Sequence, residues 1–470
     1  MKSRGTLVFG LLSYFRLASN FITETEYLIG NKKYVERLEQ PWFRVPHSDP
    51  QRVSIDEKDV EWSSFGKHTV PKGDNGILPY WTPLEEKYLH CLDRRCVCPF
   101  FNGSISGDDC ILPRGELLRR ALRQEIRTLT DFDRSQFEDT VNWMKVSGIY
   151  NRISRVHKYA GVHAGPAFTL WHREFLKRFE LVIRHFSPNP NMGVPYWDST
   201  LDSELPEPLD SLIFTDIFFG KVNEDGFVVS GPYANWTTME GRPWIFRGFG
   251  LNKAGELLNN ARVDWIVNNP DINMVLGSSR PLTSCPIKNP LDARMLEYSH
   301  DYVHFFIDGD MGKQHSSSND VIFLFHHSMI DLIFESWRRN MQSRTERERD
   351  YPASNEKCFP PWHNIDSVMP MLQPLTNGEA LSNAYTDELY EFAPRPSCNR
   401  THPECGSKYL FCHVPEKSEA HCMAKVRLGG KCSGFEGTRI CYVGECVQGK
   451  CEKHTILQKL HKQSDDIWTM

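Results

Sequence analysis

Apolar positions recur with helical spacing along several stretches of the chain. Leu118, Leu122, Ile126 and Leu129 follow at intervals of four, four and three, which predicts a helix with one apolar stripe. Thr130, with Asp133 three residues on, reads as a capping-box start. The helix it opens carries Phe137, Val141 and Met144 and stops at Gly148. Further helices are predicted over 171–186, 296–306 and 323 to about 339. Between 187 and 295 the chain is rich in Pro, Gly and Asn and reads as long loops. The charged run RTERERD at 344–350 reads as a solvated end, and no low-complexity tract is present.

Lys2 and Arg4 precede an apolar run at 7–15, and Ala18-Ser19-Asn20 offers small residues for cleavage. This is the layout of a secretory signal peptide over 1–19, although Arg16 interrupts it; a buried N-terminal strand is the alternative. No other segment reaches the roughly 18 apolar residues needed to span a bilayer. Asn-x-Ser/Thr sequons at Asn102, Asn235 and Asn399 agree with an exported, glycosylated protein.

A length of 470 residues gives a prior of two to four domains. A net charge of -5 without a long basic run argues against nucleic acid or an anionic membrane as partner. Aromatic residues at 12% are too frequent for a disordered chain. The 14 cysteines change the picture more. Four are Cys91, Cys96, Cys98 and Cys110, eight lie between Cys398 and Cys451, and only Cys285 and Cys358 stand between. In an exported chain they read as disulfides. Four bridges in the C-terminal block and three elsewhere would use every cysteine, with the pairing left open. That block has too little apolar surface to fold unstapled, and a zinc knuckle is disfavoured because no C-x2-C pair occurs in it.

The histidines carry the candidate chemistry. His157, His163 and His172 form one group, with Gly165-Pro166 placing His163 on a loop and His172 in the first turns of a helix. His300 and His304 are four apart and share a helix face, and the adjacent pair His326-His327 lies in an apolar run. Neighbouring residues cannot face the same way on a helix, so only one of that pair can join His300 and His304. Burying this many unpaired imidazoles is unfavourable, whereas neutral imidazoles around a cation are satisfied. Imidazole-only coordination suits copper or zinc over calcium, magnesium or manganese, and two groups of three imply two metals side by side.

The stretches HAGPAFTLWHR at 163–173, VPYWDST at 194–200, LEYSHDYVH at 296–304 and NDVIFLFHHSMID at 319–331 resemble the type-3 copper family, specifically the secreted invertebrate tyrosinases. The resemblance covers roughly 110–345. It implies a mainly α fold, a four-helix-bundle dicopper core with long loops flanked by disulfide-rich segments. The chain then divides into a signal peptide at 1–19, an N-terminal extension with a cysteine cluster at 20–110, a tyrosinase dicopper domain at 111–375, a Cys-rich module at 376–455 and a polar tail at 456–470. The resemblance also implies two copper ions, copper A on His157, His163 and His172 and copper B on His300, His304 and His327. His326 then takes a supporting role, Asp331 supports the ligands from behind, and Phe168 and Phe323 wall the site.

Three departures stand out. Several branches of the family crosslink a cysteine to the second copper A histidine, but residues 158–162 (KYAGV) contain none, so His163 must be held another way. The usual Asp-Pro before the last helix is Asp320-Val321. Asp301 follows the first copper B histidine where many members have Asn; with Glu297 it is the candidate for orienting a water that deprotonates the phenol. The implied reaction is dioxygen-dependent hydroxylation of monophenols and oxidation of o-diphenols to o-quinones, on phenolic small molecules or tyrosine residues of proteins. A secreted enzyme of this kind would serve quinone tanning or pigment formation. A haemocyanin-like dioxygen binder and a zinc-binding tyrosinase-related isomerase would keep the same histidines, though carriers usually repeat their sites or assemble massively and this chain holds one site.

Overall fold

The structure, a computed structural model, describes the strands Thr23–Ile29 and Lys32–Leu38 and residues 87–453 apart from 278, 280, 283 and 287–291. The expected signal peptide and polar tail lie outside the described residues. The two N-terminal strands pair antiparallel with each other, Thr23 opposite Leu38.

Six longer helices organise residues 131–341: α1 (Asp131–Val146), α2 (Ile149–Ala160), α3 (Phe168–Phe186), α4 (Asn260–Val267), α5 (Leu296–Ile307) and α6 (Ile322–Met341). The start of α1 is the expected one. Thr130 Oγ1 accepts from the Asp133 amide at 3.0 Å and donates to the Asp133 carboxylate at 2.6 Å. Gly148, at φ +80, stops α1 and lets α2 begin at once, a backbone state that glycine reaches without strain. The periodicity argument did not separate α2 as a helix, because its inner face (Ile149, Val156, His157, Ala160) mixes a histidine into the apolar stripe. Helices α3 and α6 are buried on nearly every side, and α6 packs against α3, α4 and α5. The fold is mainly α, with the four-helix core formed by α2, α3, α5 and α6.

The helix predicted from Leu118 to Leu129 is absent. Ala121–Arg123 is a strand, paired parallel with Tyr390–Phe392, and Ile126–Thr128 is a single 3-10 turn. Two polar demands override the apolar spacing. The backbone is claimed from outside: the Leu122 amide bonds the Asn191 carbonyl at 3.2 Å and the Ile126 amide that of Tyr196 at 2.9 Å. Arg123 and Arg127 must also reach buried carboxylates, Glu180 and Asp331 for the first, Glu125 and Asp202 for the second. Extended backbone turns Arg123 inward and leaves Leu122 38% exposed, the reverse of the helical reading. Among the described residues of 187–295 the long-loop reading holds except where α4 and three- or four-residue helical turns interrupt it.

All 14 cysteines are paired. Cys91–Cys96 and Cys98–Cys110 staple the segment before α1, and Cys285–Cys358 ties the loop before α5 to the loop after α6. Cys398–Cys412, Cys405–Cys422, Cys432–Cys446 and Cys441–Cys451 close the C-terminal block, leaving no thiolate for zinc there. These cysteines build a small core with Leu410, Phe411 and Met423 against Leu201 and Leu205. The block is fastened by Tyr409 to Asp131 at 2.7 Å, Lys408 to Asp131, and Lys431 to Glu207 at 3.2 Å. Among the described residues no helix is long and apolar enough to cross a membrane.

Candidate metal centre

His157 sits in the last turn of α2, which ends as the Gly161 amide closes on the His157 carbonyl at 2.9 Å. His163 follows on the loop, next to Ala164 at φ +68, and Gly165-Pro166 keep the loop out of α3. His172 lies one turn into α3. Ligand nitrogens of these three residues lie within 4.8 Å of one another. Nδ1 of His172 is bonded to the Phe168 carbonyl at 2.8 Å and Nδ1 of His163 to that of Gly161 at 3.2 Å. A neutral imidazole that donates through Nδ1 has its lone pair on Nε2, the arrangement of metal-binding histidines.

The second group repeats the device. Nδ1 of His304 is 2.7 Å from the Met311 carbonyl and Nδ1 of His300 is 3.0 Å from the Asp301 carboxylate. From α6, both histidines of the pair approach. His326 offers a nitrogen within 4.8 Å of His300 and His304, yet its Nε2 bonds the His300 carbonyl at 3.2 Å and its ring stacks on His300. His327 brings Nε2 to 3.3 Å from Nε2 of His300 and lies flat on His172 of the first group. His327 therefore stands between the two groups and His326 behind the second.

Burial, then the neighbouring imidazoles, holds this cluster neutral. His157, His163, His300, His326 and His327 are pushed well below the usual imidazole range, and burial brings His172 to about 3 and His304 to about 4. Neutral imidazole is the form that ligates. Both ring nitrogens of His157, Nε2 of His172 and Nδ1 of His327 are buried without a hydrogen-bond partner. Each such orphan costs about 1–3 kcal/mol, which a metal ion would offset. Phe168 packs 4.6 Å from His300, and Phe323 lies 4.6 Å from His157 and 4.2 Å from His327. The two groups fit a binuclear copper site.

The three singled-out carboxylates behave differently. Asp301 is buried and orients His300. Glu297 is buried too; it accepts from the Ala164 amide at 2.5 Å and from Ser279 at 2.7 Å. Asp331 corrects the expectation that it supports the ligands. It takes Arg123 at 2.8 Å, Arg173 at 2.7 Å and Tyr390 at 2.6 Å, because two buried guanidiniums claim its lone pairs first. Asp320 caps α6 through the Ile322 amide at 3.0 Å and binds Arg247, so the missing proline is replaced by an ion pair.

Sequence reasoning missed two residues. Gln314 donates to the Gly161 carbonyl at 2.6 Å, and His363 bridges from the loop after α6 to the backbone of His163 and Ala167. His363 is isolated in the sequence from both histidine groups, so no spacing signals it.

Residues 136–340 match the common central domain of tyrosinase. The tyrosinase-like protein tyr-3 of Caenorhabditis elegans is 38% identical over 378 residues, which cover 79% of this chain and 52% of that protein. Tyrosinase-like protein 1 of Margaritifera margaritifera is 30% identical over 302 residues, 62% of this chain and 57% of that one. The chain thus spans little more than half the length of these relatives. A solved mutant polyphenol oxidase of Thermothelomyces thermophila is 18% identical, with a TM-score of 0.44 over 58% of this chain and 89% of its own. Residues 136–340 thus carry a tyrosinase-type central domain, and the chain is similar to the type-3 copper proteins.

Proposed function

We propose that this protein is a secreted dicopper oxidase that uses dioxygen to hydroxylate monophenols and to oxidise o-diphenols to o-quinones. His157, His163 and His172 would hold one copper, and His300, His304 and His327 the other. The observation that carries this reading is the pair of neutral, buried imidazole groups joined face to face through His172 and His327. His327 is preferred to His326 because the Nε2 of His326 is engaged with a backbone carbonyl while that of His327 faces His300. When bound, the copper pair supplies dioxygen binding and two-electron redox chemistry.

The chain's own part is to hold, orient and keep dry. Carbonyls of Phe168, Gly161 and Met311 and the Asp301 carboxylate fix the ring tautomers. Phe168 packs on the His300 ring, and Phe323 on His157 and His327, which keeps the imidazole groups dry. We assign Asp301 and Glu297 as positioning groups: Oδ1 of Asp301 holds the His300 ring, and the Glu297 oxygens accept from the Ala164 amide and Ser279. Export is supported by the seven disulfides, and the three sequon asparagines Asn102, Asn235 and Asn399 are all exposed, as glycosylation requires. Quinone tanning or pigment formation is the proposed setting.

Metal analysis combined with oxygen uptake on L-DOPA and tyrosine tests the reading. Two coppers per chain with turnover support it. Zinc without oxygen consumption overturns it in favour of an isomerase, and reversible oxygenation without turnover overturns it in favour of a carrier.

A further inference from the structure

His163 is the ligand that no helix holds. Nε2 of His363 lies 3.1 Å from the His163 carbonyl, and Nδ1 lies 3.3 Å from the Ala167 amide. An amide can only donate, so Nδ1 accepts and Nε2 carries the proton given to His163. One imidazole therefore spans both ends of the five-residue loop 163–167. The ring lies directly over Gly165, where a Cβ would come within 2.7 Å of it. Between these contacts Ala164 is held at φ +68, a conformation that residues with a side chain rarely adopt, so the loop keeps this shape only because its surroundings enforce it. The clamp is itself anchored: Tyr351 donates to the His363 carbonyl at 2.7 Å, and the Cys285–Cys358 bridge lies just before it in the chain.

We propose that His363 is the positioning residue for His163, a hydrogen-bonded clamp that sets this ligand where residues 158–162 offer no cysteine to tether it. The proposal rests on the dicopper reading above. His363 takes no metal, and both of its nitrogens are spent on the loop backbone. Glu297 on the Ala164 amide and Gln314 on the Gly161 carbonyl complete the frame.

Two substitutions separate the clamp from simple packing. His363→Phe keeps a ring over Gly165 but has no donor or acceptor, whereas His363→Gln can place an amide N–H near the position of Nε2. The readouts are copper per chain by elemental analysis, competition for copper with a chelator, and amide hydrogen exchange at residues 163–165 and 167 in the metal-free protein. His363→Phe is expected to melt cooperatively, to exchange these amides faster and to bind one of its two coppers about 10–100-fold more weakly, the range for lost outer-shell partners. His363→Gln is expected to recover most of that affinity. Unchanged affinity and exchange in His363→Phe overturn the clamp, and so does His363→Gln failing as badly as His363→Phe. If the parent chain itself binds no copper pair, the dicopper reading fails and the clamp with it.

Discussion

His327 lies flat against His172, with ring centroids 4.5 Å apart and planes 10° apart, although the two residues sit on different helices and in different histidine groups. The adjacent His326 stacks instead on His300, at 5.1 Å and 14°. Consecutive positions of α6 thus send one imidazole to the seam between the groups and one behind the second.

His327→Ala should bind one copper instead of two and lose oxidase turnover. His326→Ala should keep both coppers while losing about 1–3 kcal/mol of stability from its buried contacts. Copper content and urea melts of the two variants decide; equal copper loss would refute the ligand assignment.

Asp301→Ala should weaken copper binding about 10–100-fold, because the Nδ1 proton of His300 loses its acceptor. Asp301→Asn, which retains an acceptor oxygen, should recover much of it. Chelator competition measures both, and an Asn variant as weak as the Ala variant would point to the charge rather than the hydrogen bond.

The metal-free protein should lose stability as pH falls from about 6.5 toward 4. His172, His304 and His363 have folded values near 3, 4 and 4, lowered by burial, against an ordinary 6.5. Between those values the unfolded chain binds protons that the folded one cannot, so the stabilisation is complete above 6.5 and erodes on acidification. Each residue contributes up to about 1.4 kcal/mol per pH unit in that window. Urea midpoints from pH 7.5 to 4.5 test this, and a flat profile would show the imidazoles to be solvated.

Asp331→Ala should destabilise the fold by about 3–5 kcal/mol, since it strips the buried Arg123 and Arg173 of a shared carboxylate. The fraction that folds should still carry two coppers. Loss of copper from well-folded protein would restore a direct role of Asp331 at the ligands.

Removing the bridge between Cys285 and Cys358 by a double Ser substitution should lower stability by about 4 kcal/mol in the chain-entropy model, because it closes a long loop. Thermal melts under oxidising conditions measure it, and a shift no larger than that of removing Cys91–Cys96 would contradict the loop-length argument.

Much of the site was legible because it is local. His300 and His304 are four apart on a helix, and Phe137, Val141 and Met144 mark one face of α1 by spacing alone. What was hidden depends on distant chain. The stripe Leu118–Leu129 has helical spacing, yet the strand within it is set by Tyr390–Phe392 and by carboxylates on α3 and α6. The same holds for Asp331, whose position one turn after His327 says nothing of the two arginines that reach it first. His363 is a lone histidine in a loop, and only the fold brings it to His163.

The parallel pairing of Ala121–Arg123 with Tyr390–Phe392 has a consequence for biosynthesis. During synthesis Arg123 and Glu180, its first carboxylate partner, emerge long before Asp331 and Tyr390, which complete its setting. The helices between can form as they appear, but the core cannot close around them early. Completion of this strand pair therefore waits until residues 390–392 have been made, so the last step of core closure joins segments some 270 residues apart.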